Sequence, residues 1–362
     1  MKIIYDNIIF SLQKAGGISI YWAEIIQRLV KNEKEVNFYE VENQNIFRKE
    51  LNIQTQKESS MSVKLLRYLP FLKKLPAKSI FHSSYFRTTL QKDIVKIVTV
   101  YDFTYEYYRT GLARHIHSWQ KNFAIKNADG VICISDSTKN DLFKFLPKID
   151  KQKVKTIYIS AGEEFYQIED LRSKVEGSKF QDLMDKKIIL YVGDRKSSYK
   201  NFSLAVDIVN SLEDYILVSV GSGQIIDDEK VFIDMNLQDR FHHFLGISSD
   251  ELNILYNLSF CLLYPSSYEG FGIPILEAMR AGCPVISTNF SSIPEVAGDA
   301  ALLVDEIKKE RFVESVKLLE DTNLRIKLID KGLLQASKFT WDKCFEETIN
   351  FYNEVYKRKF EK

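Results

Sequence analysis

At 362 residues the chain is long for a single hydrophobic core, and its length is typical of two domains of ordinary size. Hydrophobic residues make up 45% and charged residues 27% of the composition, which favours a globular protein over a disordered or fibrous one. The 50 basic and 49 acidic residues give a formal net charge of +1, so no overall electrostatic field directs the chain to nucleic acid.

The N-terminus and the cysteines predict an intracellular protein. The opening run MKIIYDNIIFSLQ has a short apolar stretch and an early Asp6, which is typical of a strand rather than a signal peptide. No stretch approaches the uninterrupted apolar length that spans a bilayer. The four cysteines form no CxxC pair and are expected to pack as small hydrophobic residues: Cys133, Cys261, Cys283 and Cys344. We therefore expect a cytoplasmic location.

The first half of the chain alternates predicted strands and helices. A strand over KIIYDNIIF is followed by a glycine pair, Gly16 and Gly17, and then by apolar residues at helical spacing. Further strands are predicted at VNFYEV, SIFHSSYF, KIVTVYDFTYE, DGVICIS and KVKTIYIS. Helices are predicted at HSWQKNFAIKNA and at STKNDLFKFL, the second with a serine cap. The polar stretch up to residue 60 is expected to be an exposed loop.

The second half repeats this alternation. The hydrophilic segment EEFYQIEDLRSKVEGSKFQDLMDKK has little periodicity and predicts a domain boundary. After it come the strands KIILYVGD, YILVSVGSG and SFCLLYPSS, and a helix SSDELNILYNL that Ser248 or Ser249 caps. The glycines at 221 and 223 are not a dinucleotide fingerprint, because the third glycine is replaced by Ile226.

This order of elements predicts an α/β protein with two doubly wound parallel sheets, each Rossmann-like, that face each other across a cleft. The first domain is expected over residues 1–165 and the second over residues 180–342. The C-terminal helix, about residues 343–362, is expected to pack back on the first domain.

The stretch YPSSYEGFGIPILEAMRAGCPVIST carries the strongest chemical signal. Pro274 stands at the start of a predicted helix and Gly282 just past its end. Glu269 and Glu277 bracket the turn at Gly272, where amides of the helix start attract anions, phosphate above all. Carboxylates accept hydrogen bonds from hydroxyl groups, so the predicted ligand is polyhydroxylated and phosphorylated. From the spacing alone, a buried strand-turn-helix with no ligand is an equally good interpretation.

The segment EGFGIPILEAMRAGCPVI, with seven residues between its two glutamates, closely resembles the nucleotide-sugar site of the family-4 retaining glycosyltransferases. Other segments resemble the same family in the same order and cover most of the chain: ADGVICISDSTKNDL, YVGDRKSSYKNF, HFLGISSDEL and SSIPEVAGDAALLVD. The resemblance implies GT-B architecture and the transfer of a sugar from a GDP- or UDP-sugar donor. The acceptor would be a hydroxyl of a glycan or lipid-linked glycan, as in polysaccharide or O-antigen biosynthesis.

The resemblance assigns the donor site to the second domain. Glu277 would bind the ribose hydroxyls and Glu269 the transferred sugar. Arg195 and Lys200 would grip the diphosphate, because cations stabilise the charge of a departing diphosphate. Backbone groups would hold the nucleobase at Gly246 and Ile247, and the phosphate and sugar at Phe271, Gly272 and Ile273. Glu295 is expected to brace the structure.

The first domain is similar to the family with one departure. The loop at Gly16 and Gly17 matches the glycine loop that the family places against the donor's phosphates. Where the family often carries a His-Asp pair, this chain has Tyr101 beside Asp102, and a tyrosine is a poor proton shuttle at neutral pH. The substitute ranked first is His82, which follows a strand into a loop, before His115 and His117.

Cofactors and mechanism follow from the same resemblance. No Asp-x-Asp pair occurs, so we expect no metal and no other cofactor, with the nucleotide sugar as co-substrate. Retention in this family is thought to proceed by same-face attack, which needs no enzyme nucleophile. Two alternatives remain open, a sugar-nucleotide epimerase of similar architecture and a catalytically silent nucleotide-sugar-binding module.

Residues 62–78, SVKLLRYLPFLKKLPAK, interleave leucines with basic residues and contain no acidic residue. The leucines are expected to pack against the first sheet. The lysines predict a patch that faces an anionic membrane surface, as in a peripheral membrane enzyme. Pro70 divides the segment, which predicts a helical hairpin or a kink rather than one long helix.

Overall fold

The computed structural model describes residues 2–221 and 223–361, which form two compact units. The first unit contains the residues up to Ile159 and those from Thr340 onward, and the second contains Ser160–Phe339. The chain thus enters the second unit just before the hydrophilic segment that begins at Glu163.

The first unit is built on a parallel sheet of seven strands. The strands are β1 (Ile3–Asp6), β2 (Val36–Glu40), β3 (Thr55–Lys57), β4 (Ile80–Ser83), β5 (Val95–Val100), β6 (Gly130–Cys133) and β7 (Val154–Thr156). Their order is β3-β2-β1-β4-β5-β6-β7, and every neighbouring pair is parallel. Strands β1, β4 and β6 are buried along their whole length, because helices cover both faces of a parallel sheet.

Among residues 2–159, seven helices precede the second unit. They are α1 (Ile9–Leu12), α2 (Gly17–Lys31), α3 (Ile46–Lys49), α4 (Val63–Leu66), α5 (Thr104–Tyr108), α6 (Gly111–Asn127) and α7 (Asp136–Phe145), with a short 3-10 helix at Lys151–Lys153. The N-cap of α7 is Ser135, which accepts from the amide of Thr138 and lies two residues before the predicted serine.

Two expectations for this unit were wrong. The opening strand ends at Asp6, because its carboxylate accepts the amide of Ile8 and the chain turns into α1. The polar stretch before residue 60 contains α3 and β3 rather than only a loop, and Asn45 caps α3 through the amide of Arg48. The side chains of α3 and β3 are largely exposed, so neither element has the periodic apolar pattern from which the sequence could predict it.

The second unit has a parallel sheet of six strands. They are β8 (Lys187–Val192), β9 (Tyr215–Val220), β10 (Phe241–Phe244), β11 (Cys261–Tyr264), β12 (Val285–Thr288) and β13 (Leu302–Val304). The order is β10-β9-β8-β11-β12-β13, again with parallel neighbours throughout. A hydrophobic core between this sheet and its helices includes Ile189, Leu217 and Leu263.

In the part of the second unit that the structure describes, eight helices flank this sheet. They are α8 (Leu171–Val175), α9 (Phe202–Asn210), α10 (Asp227–Leu237), α11 (Ser249–Leu258), α12 (Ile273–Arg280), α13 (Ile293–Ala297), α14 (Lys309–Leu318) and α15 (Thr322–Ala336), with 3-10 helices at Gln181–Leu183 and Ser198–Lys200. Of the two serines predicted to cap α11, Ser248 does so, in a capping box with Glu251.

The last helix, α16 (Trp341–Phe360), belongs to the first unit, where it contacts α2, β5 and β6. The hydroxyl of its Tyr352 lies 2.8 Å from that of Tyr5 and 2.5 Å from Nδ1 of His82.

With a parallel sheet and flanking helices in each, both units are Rossmann-like α/β domains, as predicted. Among residues 2–221 and 223–361, no helix combines the length and apolarity needed to cross a bilayer.

Candidate functional site

The second sheet changes direction between β8 and β11. The chain proceeds from β8 outward to β9 and β10, and then returns to place β11 on the other side of β8. In doubly wound sheets, ligands bind outside the carboxyl ends of the strands at this switch point. The loops that follow β8 and β11 therefore form the candidate ligand-binding site.

These two loops are hydrogen-bonded to each other. Asn201, with a left-handed φ of 52°, donates its side-chain amide to the carbonyl of Pro265 at 2.7 Å and to Oγ of Ser267 at 2.8 Å. The amide of Ser267 in turn donates to the carbonyl of Tyr199 at 2.7 Å. The loops form one connected surface at the switch point.

Lys200 and Glu269 meet on this surface. The Lys200 ammonium donates to Oε1 of Glu269 at 2.5 Å and to the hydroxyl of Tyr264 at 2.9 Å. Their side chains are 14% and 10% exposed, so the pair is largely shielded from water. The structure thus brings a cation and a carboxylate together at the switch point.

The backbone of Glu269 is anchored on both sides. Its amide donates to Oγ of Ser291 at 2.8 Å, and its carbonyl accepts from the hydroxyl of Ser292 at 2.9 Å. Both serines follow β12, so a third loop at the same sheet edge holds the carboxylate in place.

Helix α12 begins at Ile273, one residue before the predicted Pro274. Its N-cap is Gly272 with φ of 96°, a left-handed conformation that glycine adopts without strain. A Cβ at Gly272 would also lie 3.2 Å from the Ile275 side chain. No side chain caps the helix start. Phe271 is buried, and its ring packs 5.7 Å from that of Phe339, so only its backbone is available to a ligand.

Glu277 lies in the second turn of α12 and is buried. The hydroxyl of Tyr256 donates to its Oε2 at 2.8 Å. Burial raises the pKa of this carboxyl to about 7, although the Tyr256 hydrogen bond opposes the shift. The C-terminal end of the same helix is anchored by Arg280, which donates to the carbonyls of Gly162 and Phe339.

Arg195 follows β8 but points towards β9 and β10. Its guanidinium donates to Glu229 at 2.7 Å and to the carbonyls of Gly221 and Gly223, each at 3.0 Å. It also lies 2.9 Å from Nε2 of His243. The hydrogen-bond partners of Arg195 therefore differ from those of Lys200, with which the sequence predicts it to share a ligand.

The predicted nucleobase loop follows β10. Gly246 is exposed and has a left-handed φ of 61°, and Ile247 is half-buried just before the Ser248 cap of α11. The loop stands at the carboxyl edge of the same sheet, which is compatible with the predicted role.

In the first unit, Gly16 is the N-cap of α2 and Gly17 its first residue. The 15-residue helix presents its N-terminal amides there, as the predicted phosphate loop requires. Tyr101 and Asp102 follow β5, as predicted. The hydroxyl of Tyr101 donates to the carbonyl of Ser84 at 3.1 Å, and burial raises its pKa well above 10. Tyr101 is therefore enclosed rather than presented to a substrate.

Asp102 is held by its neighbours. Its carboxylate accepts the amide of Thr104 at 2.8 Å, and its carbonyl accepts from the ammonium of Lys121 at 3.1 Å. Lys121 is buried on α6, 2.5 Å from Glu106 and 3.9 Å from the ring centre of Phe103.

His82 was wrongly predicted to face a substrate. It lies inside β4 with no exposed surface, and its two ring nitrogens contact Tyr352 and, at 3.0 Å, Thr99. Burial lowers its pKa to about 3, so it is neutral at physiological pH. His117 is also buried, with Nε2 3.1 Å from the Tyr85 hydroxyl, whereas His115 is exposed.

Residues 62–78 form only the short helix α4 followed by irregular chain, not a helical hairpin. Leu66, Phe71 and Leu75 are buried, so part of the predicted packing against the sheet is confirmed. Leu65, Leu69 and Leu72 are exposed instead.

Sequence reasoning missed three residues that shape the site, Asn201, Tyr256 and Tyr264. Asn201 directly follows Lys200 and Tyr264 begins the central stretch, whereas Tyr256 lies on α11. The contacts of all three join different loops or helices. No group of three or more His, Cys, Asp or Glu side chains is placed to hold a metal ion within residues 2–221 and 223–361.

Comparison with known proteins extends these observations. The family described as glycosyl transferases group 1 matches residues 173–334, and glycosyltransferase family 4 matches residues 15–159. The O-antigen chain mannosyltransferase B of Escherichia coli is 39% identical over 122 residues, which are 33% of this chain and 32% of that protein. The O-antigen chain mannosyltransferase RfbU of Salmonella typhimurium is 25% identical over 228 residues, 62% of this chain and 60% of that protein. The matches thus span less than two thirds of the length of these relatives.

Solved structures share the fold over nearly the whole chain. Sucrose-phosphate synthase of Thermosynechococcus elongatus superposes with a TM-score of 0.77 at 17% identity, covering 98% of this chain and 99% of that one. Anabaena HepE in complex with UDP-glucose superposes with a TM-score of 0.75 at 12% identity, covering 98% and 100%. From the two family matches, which between them cover most of its length, we conclude that the chain belongs to glycosyltransferase family 4.

Proposed function

We propose that this enzyme transfers a sugar, with retention, from a UDP- or GDP-sugar donor to a hydroxyl of a glycan acceptor in polysaccharide or O-antigen biosynthesis. The observation that carries the proposal is the arrangement at the switch point of the second sheet. Lys200 and Glu269 meet there, near a helix start at Gly272 that carries no side-chain cap, and Glu277 follows on the same helix. The names of the relatives as O-antigen mannosyltransferases support the acceptor class and favour a transferase over the epimerase.

In the proposed complex, Glu277 accepts hydrogen bonds from the ribose hydroxyls, and Glu269 contacts the transferred sugar. The amides at the start of α12 bind the phosphate end of the donor, because a helix N-terminus favours anions. Lys200 then turns from Glu269 to the diphosphate and stabilises its growing negative charge as the sugar bond breaks. The UDP-glucose complex of Anabaena HepE, which has the same fold, supports a nucleotide-sugar donor.

The proposed chemistry needs no nucleophile from the protein. The bond between the anomeric carbon and the donor phosphate oxygen breaks while the acceptor oxygen attacks the same face of the sugar. The departing phosphate oxygen takes the proton of the acceptor hydroxyl, so charge and atoms balance. The Tyr101 hydroxyl and both His82 nitrogens are hydrogen-bonded to buried groups of the protein. This supports a mechanism in which the departing phosphate, rather than a side chain, accepts the proton.

We also propose that the first unit rests on an anionic membrane and takes a lipid-linked acceptor. Helix α6 carries an outward apolar stripe at helical spacing, Leu112, Ile116, Trp119 and Phe123, and Trp119 is 65% exposed. Aromatic and aliphatic side chains of this kind enter the interfacial region of a bilayer.

The stripe is continuous with the segment at 62–78. Tyr68, Leu69 and Leu90 line one cavity of about 150 Å³ together with Trp119 and Phe123. Of the 22 exposed large apolar side chains in the described residues, 12 lie between Met61 and Phe123. A concentration of this kind marks an interaction surface rather than scattered exposure.

Charge favours an anionic partner for this face. Residues 59–92 contain no Asp or Glu but include Lys64, Lys74 and other basic residues, and residues 107–128 also contain no acidic residue. In a chain with nearly balanced charge, these stretches form a local excess of positive charge. Basic residues near an anionic lipid surface gain roughly 1 kcal/mol each.

The donor is tested by thermal unfolding and transfer assays. UDP, GDP and ADP and their sugars are compared, and saturation at a hundred times the dissociation constant stabilises by about 2.7 kcal/mol. The expected result is stabilisation by one nucleotide class and transfer from its sugar to a glycan acceptor. Donor alone serves as control, since conversion to another sugar nucleotide without acceptor would indicate an epimerase. Binding without any transfer would indicate a silent module.

Membrane contact is tested by co-sedimentation with anionic and neutral vesicles at low and high salt. Trp119→Ser is expected to reduce recovery on anionic vesicles, and so is the double variant Lys64→Glu with Lys74→Glu. Leu334→Ser is the matched control, because Leu334 is equally exposed but lies on α15 of the second unit. Equal recovery on both vesicle types for all proteins would contradict the membrane proposal and leave the donor proposal intact.

A further inference from the structure

We propose that Arg67 of the first unit is a specificity-determining residue that binds an oxyanion on the acceptor, either a phosphate or the carboxylate of an acidic sugar. The proposal rests on the proposed function, because it names the chemical class of acceptor that the transferase takes. Arg67 directly follows α4 and is none of the residues proposed to bind the donor.

The first sheet has its own switch point, between β1 and β4. From β1 the chain proceeds to β2 and β3 on one side, and then places β4 on the other side of β1. Ligands of doubly wound sheets bind outside the carboxyl ends of the strands at such a point. Tyr85 lies two residues after β4, and the carbonyl of Ser84 before it accepts from Tyr101, which follows β5. Tyr85 therefore stands at the edge of the first sheet where a ligand is expected.

Tyr85 and its neighbours hold the Arg67 guanidinium in place. The Cζ atom of Arg67 lies 5.0 Å from the ring centre of Tyr68 and 5.3 Å from that of Tyr85. Nη2 donates to the Tyr85 hydroxyl at 3.3 Å, and the Arg67 carbonyl accepts from the side-chain amide of Gln120. The Tyr85 hydroxyl also lies 3.1 Å from Nε2 of His117. A planar guanidinium fixed in this way loses little conformational freedom when it binds a ligand.

Arg67 differs from other arginines of the first unit in having no carboxylate partner. Arg28, Arg48 and Arg87 each form an ion pair with Asp or Glu. Within the described part of the chain, Arg67 forms none, and its buried Nε has no hydrogen-bond acceptor. A shielded donor without an acceptor is unfavourable. An oxyanion would satisfy it, because carboxylate and phosphate match the planar donors of arginine.

Two further polar atoms beside Arg67 indicate that the ligand also carries hydroxyl groups. Oε1 of Gln120 and Nδ1 of His117 have no hydrogen-bond partner among the described residues, although the two residues are only 5% and 7% exposed. Both lie on α6, three positions apart, and therefore on the same face of the helix. The Gln120 oxygen accepts hydrogen bonds, as a sugar hydroxyl requires. Gln120 and Tyr68 also line the cavity of about 150 Å³, through which a ligand can approach.

The charges around Arg67 favour an anion over a neutral sugar. Residues 59–92 contain no acidic residue, and the nearby Glu106 on α5 is paired with the buried ammonium of Lys121 at 2.5 Å. Burial raises the pKa of Tyr85 above its ordinary value, Arg67 opposes that shift, and Asp102 adds to it. Asp102 is therefore close to Tyr85 although it forms no ion pair with Arg67. An acceptor held at Arg67 through its anion would place its sugar near the loop that carries Asp102.

Two kinds of acceptor present an oxyanion beside sugar hydroxyls. A lipid-linked glycan carries phosphate between its sugar and its lipid, and the exposed apolar stripe of α6 lies on the same side of the first unit as the cavity at Gln120. An acidic polysaccharide carries the carboxylate of a uronic acid. Arg67 recognises the chemistry that the two share, and the two anionic probes below distinguish them.

The test measures binding of mannose, mannose 1-phosphate and mannuronate, and of the corresponding glucose series, to the whole protein without donor. The parent is expected to bind one anionic sugar about tenfold or more tightly than its neutral counterpart, which corresponds to about 1.4 kcal/mol. Arg67→Met should abolish that preference and leave the affinity for the neutral sugar unchanged. Lys126→Met is the matched control, because it removes an exposed cation from α6, the helix of His117 and Gln120.

Tyr85→Phe keeps the test decisive if Arg67→Met fails to fold. It removes the hydroxyl that contacts Nη2 of Arg67 and Nε2 of His117, so the affinity for the anionic sugar should fall while that for the neutral sugar stays the same. Arg67→Lys keeps the charge without the planar donors and should retain only part of the preference. Equal binding of neutral and anionic sugars by the parent, no binding of either, or a preference that survives in Arg67→Met would overturn the proposal.

Failure of the proposed function is visible separately, because these affinities are measured without donor. A preference for anionic sugars that depends on Arg67, with no transfer from any nucleotide sugar, would contradict the transferase and leave the anion site standing. In a transfer assay, Arg67→Met should raise the KM for an anionic acceptor and leave the donor dissociation constant unchanged. Transfer to an anionic acceptor with the same KM in Arg67→Met and the parent would contradict the anion site and leave the transferase standing.

Discussion

The ammonium of Lys200 lies 2.5 Å from Oε1 of Glu269, at the point where the second sheet changes direction. The two residues come from loops that follow different strands, and 69 positions separate them in the chain. Each neutralises the other. Under the proposed function, the diphosphate and the sugar hydroxyls of a nucleotide sugar would offer new partners to both.

Lys200→Met should impair the enzyme and destabilise it. Loss of the ammonium leaves the Glu269 carboxylate shielded and unpaired, which we expect to lower the free energy of unfolding by on the order of 2 kcal/mol. The double variant with Glu269→Gln should regain most of that stability and no transfer activity. Thermal unfolding and a donor-saturation assay measure both effects. Recovery of activity in the double variant would show that the pair is structural only.

Nucleotide affinity should rise with pH through neutrality. Burial raises the pKa of Glu277 to about 7, and its ionised form accepts hydrogen bonds from ribose hydroxyls more strongly. We therefore expect tighter nucleotide binding at pH 8 than at pH 6. Glu277→Gln should bind weakly and show no such pH dependence. A pH profile that is the same in the parent and in this variant would assign the titration to another group.

The same carboxyl should make the folded protein less stable as pH rises. Its folded-state pKa lies above the ordinary value of 4.5, so the folded state holds the proton more tightly. The stabilisation is complete below about pH 4.5 and is lost as pH increases through about 7, a change of about 3 kcal/mol. Urea unfolding at pH 5 and pH 8 should therefore show a larger stability difference in the parent than in Glu277→Gln. A difference of the same size in both proteins would contradict this assignment.

Tyr101→Phe should retain near-parental turnover. Its hydroxyl donates to the carbonyl of Ser84 inside the first unit, so the loss is one buried hydrogen bond, worth about 1 kcal/mol of stability. A hundredfold drop in turnover would instead show that the hydroxyl acts on a developing charge. His82→Asn at the same sheet edge is a parallel test, for which we expect reduced stability with turnover preserved in the folded fraction.

Lys121→Met should reduce turnover through Asp102. The buried ammonium holds the Asp102 carbonyl at 3.1 Å and Glu106 at 2.5 Å, so its loss frees the loop after β5. We expect kcat to fall while the donor dissociation constant stays unchanged, because Lys121 contacts none of the proposed donor-binding residues. Adding Glu106→Gln removes the unpaired carboxylate and controls for simple loss of stability. An equal fall in donor affinity would show a global effect instead.

The sequence by itself determined the two alternations of strand and helix, because buried parallel strands require short apolar runs and covering helices require apolar periodicity. It also determined the position of the central turn, since a glycine before a proline-opened helix allows few other conformations. Glu269, Glu277 and Lys200 could therefore be named in advance as candidate site residues. Elements with polar, exposed side chains, such as α3 and β3, left no periodic signal and were missed.

Tertiary structure decided which candidates share a surface. Arg195 and Lys200 are five positions apart, yet one side chain is enclosed by groups that follow β9 and β10 and the other meets Glu269 after β11. His82 and Tyr101 stand at predicted strand ends, but both are buried, His82 against Tyr352 of α16 and Tyr101 against Tyr21 and Phe86. The physical reason is that hydrogen-bond satisfaction and burial depend on partners distant in the chain, and these arise only when strands are ordered in the sheet.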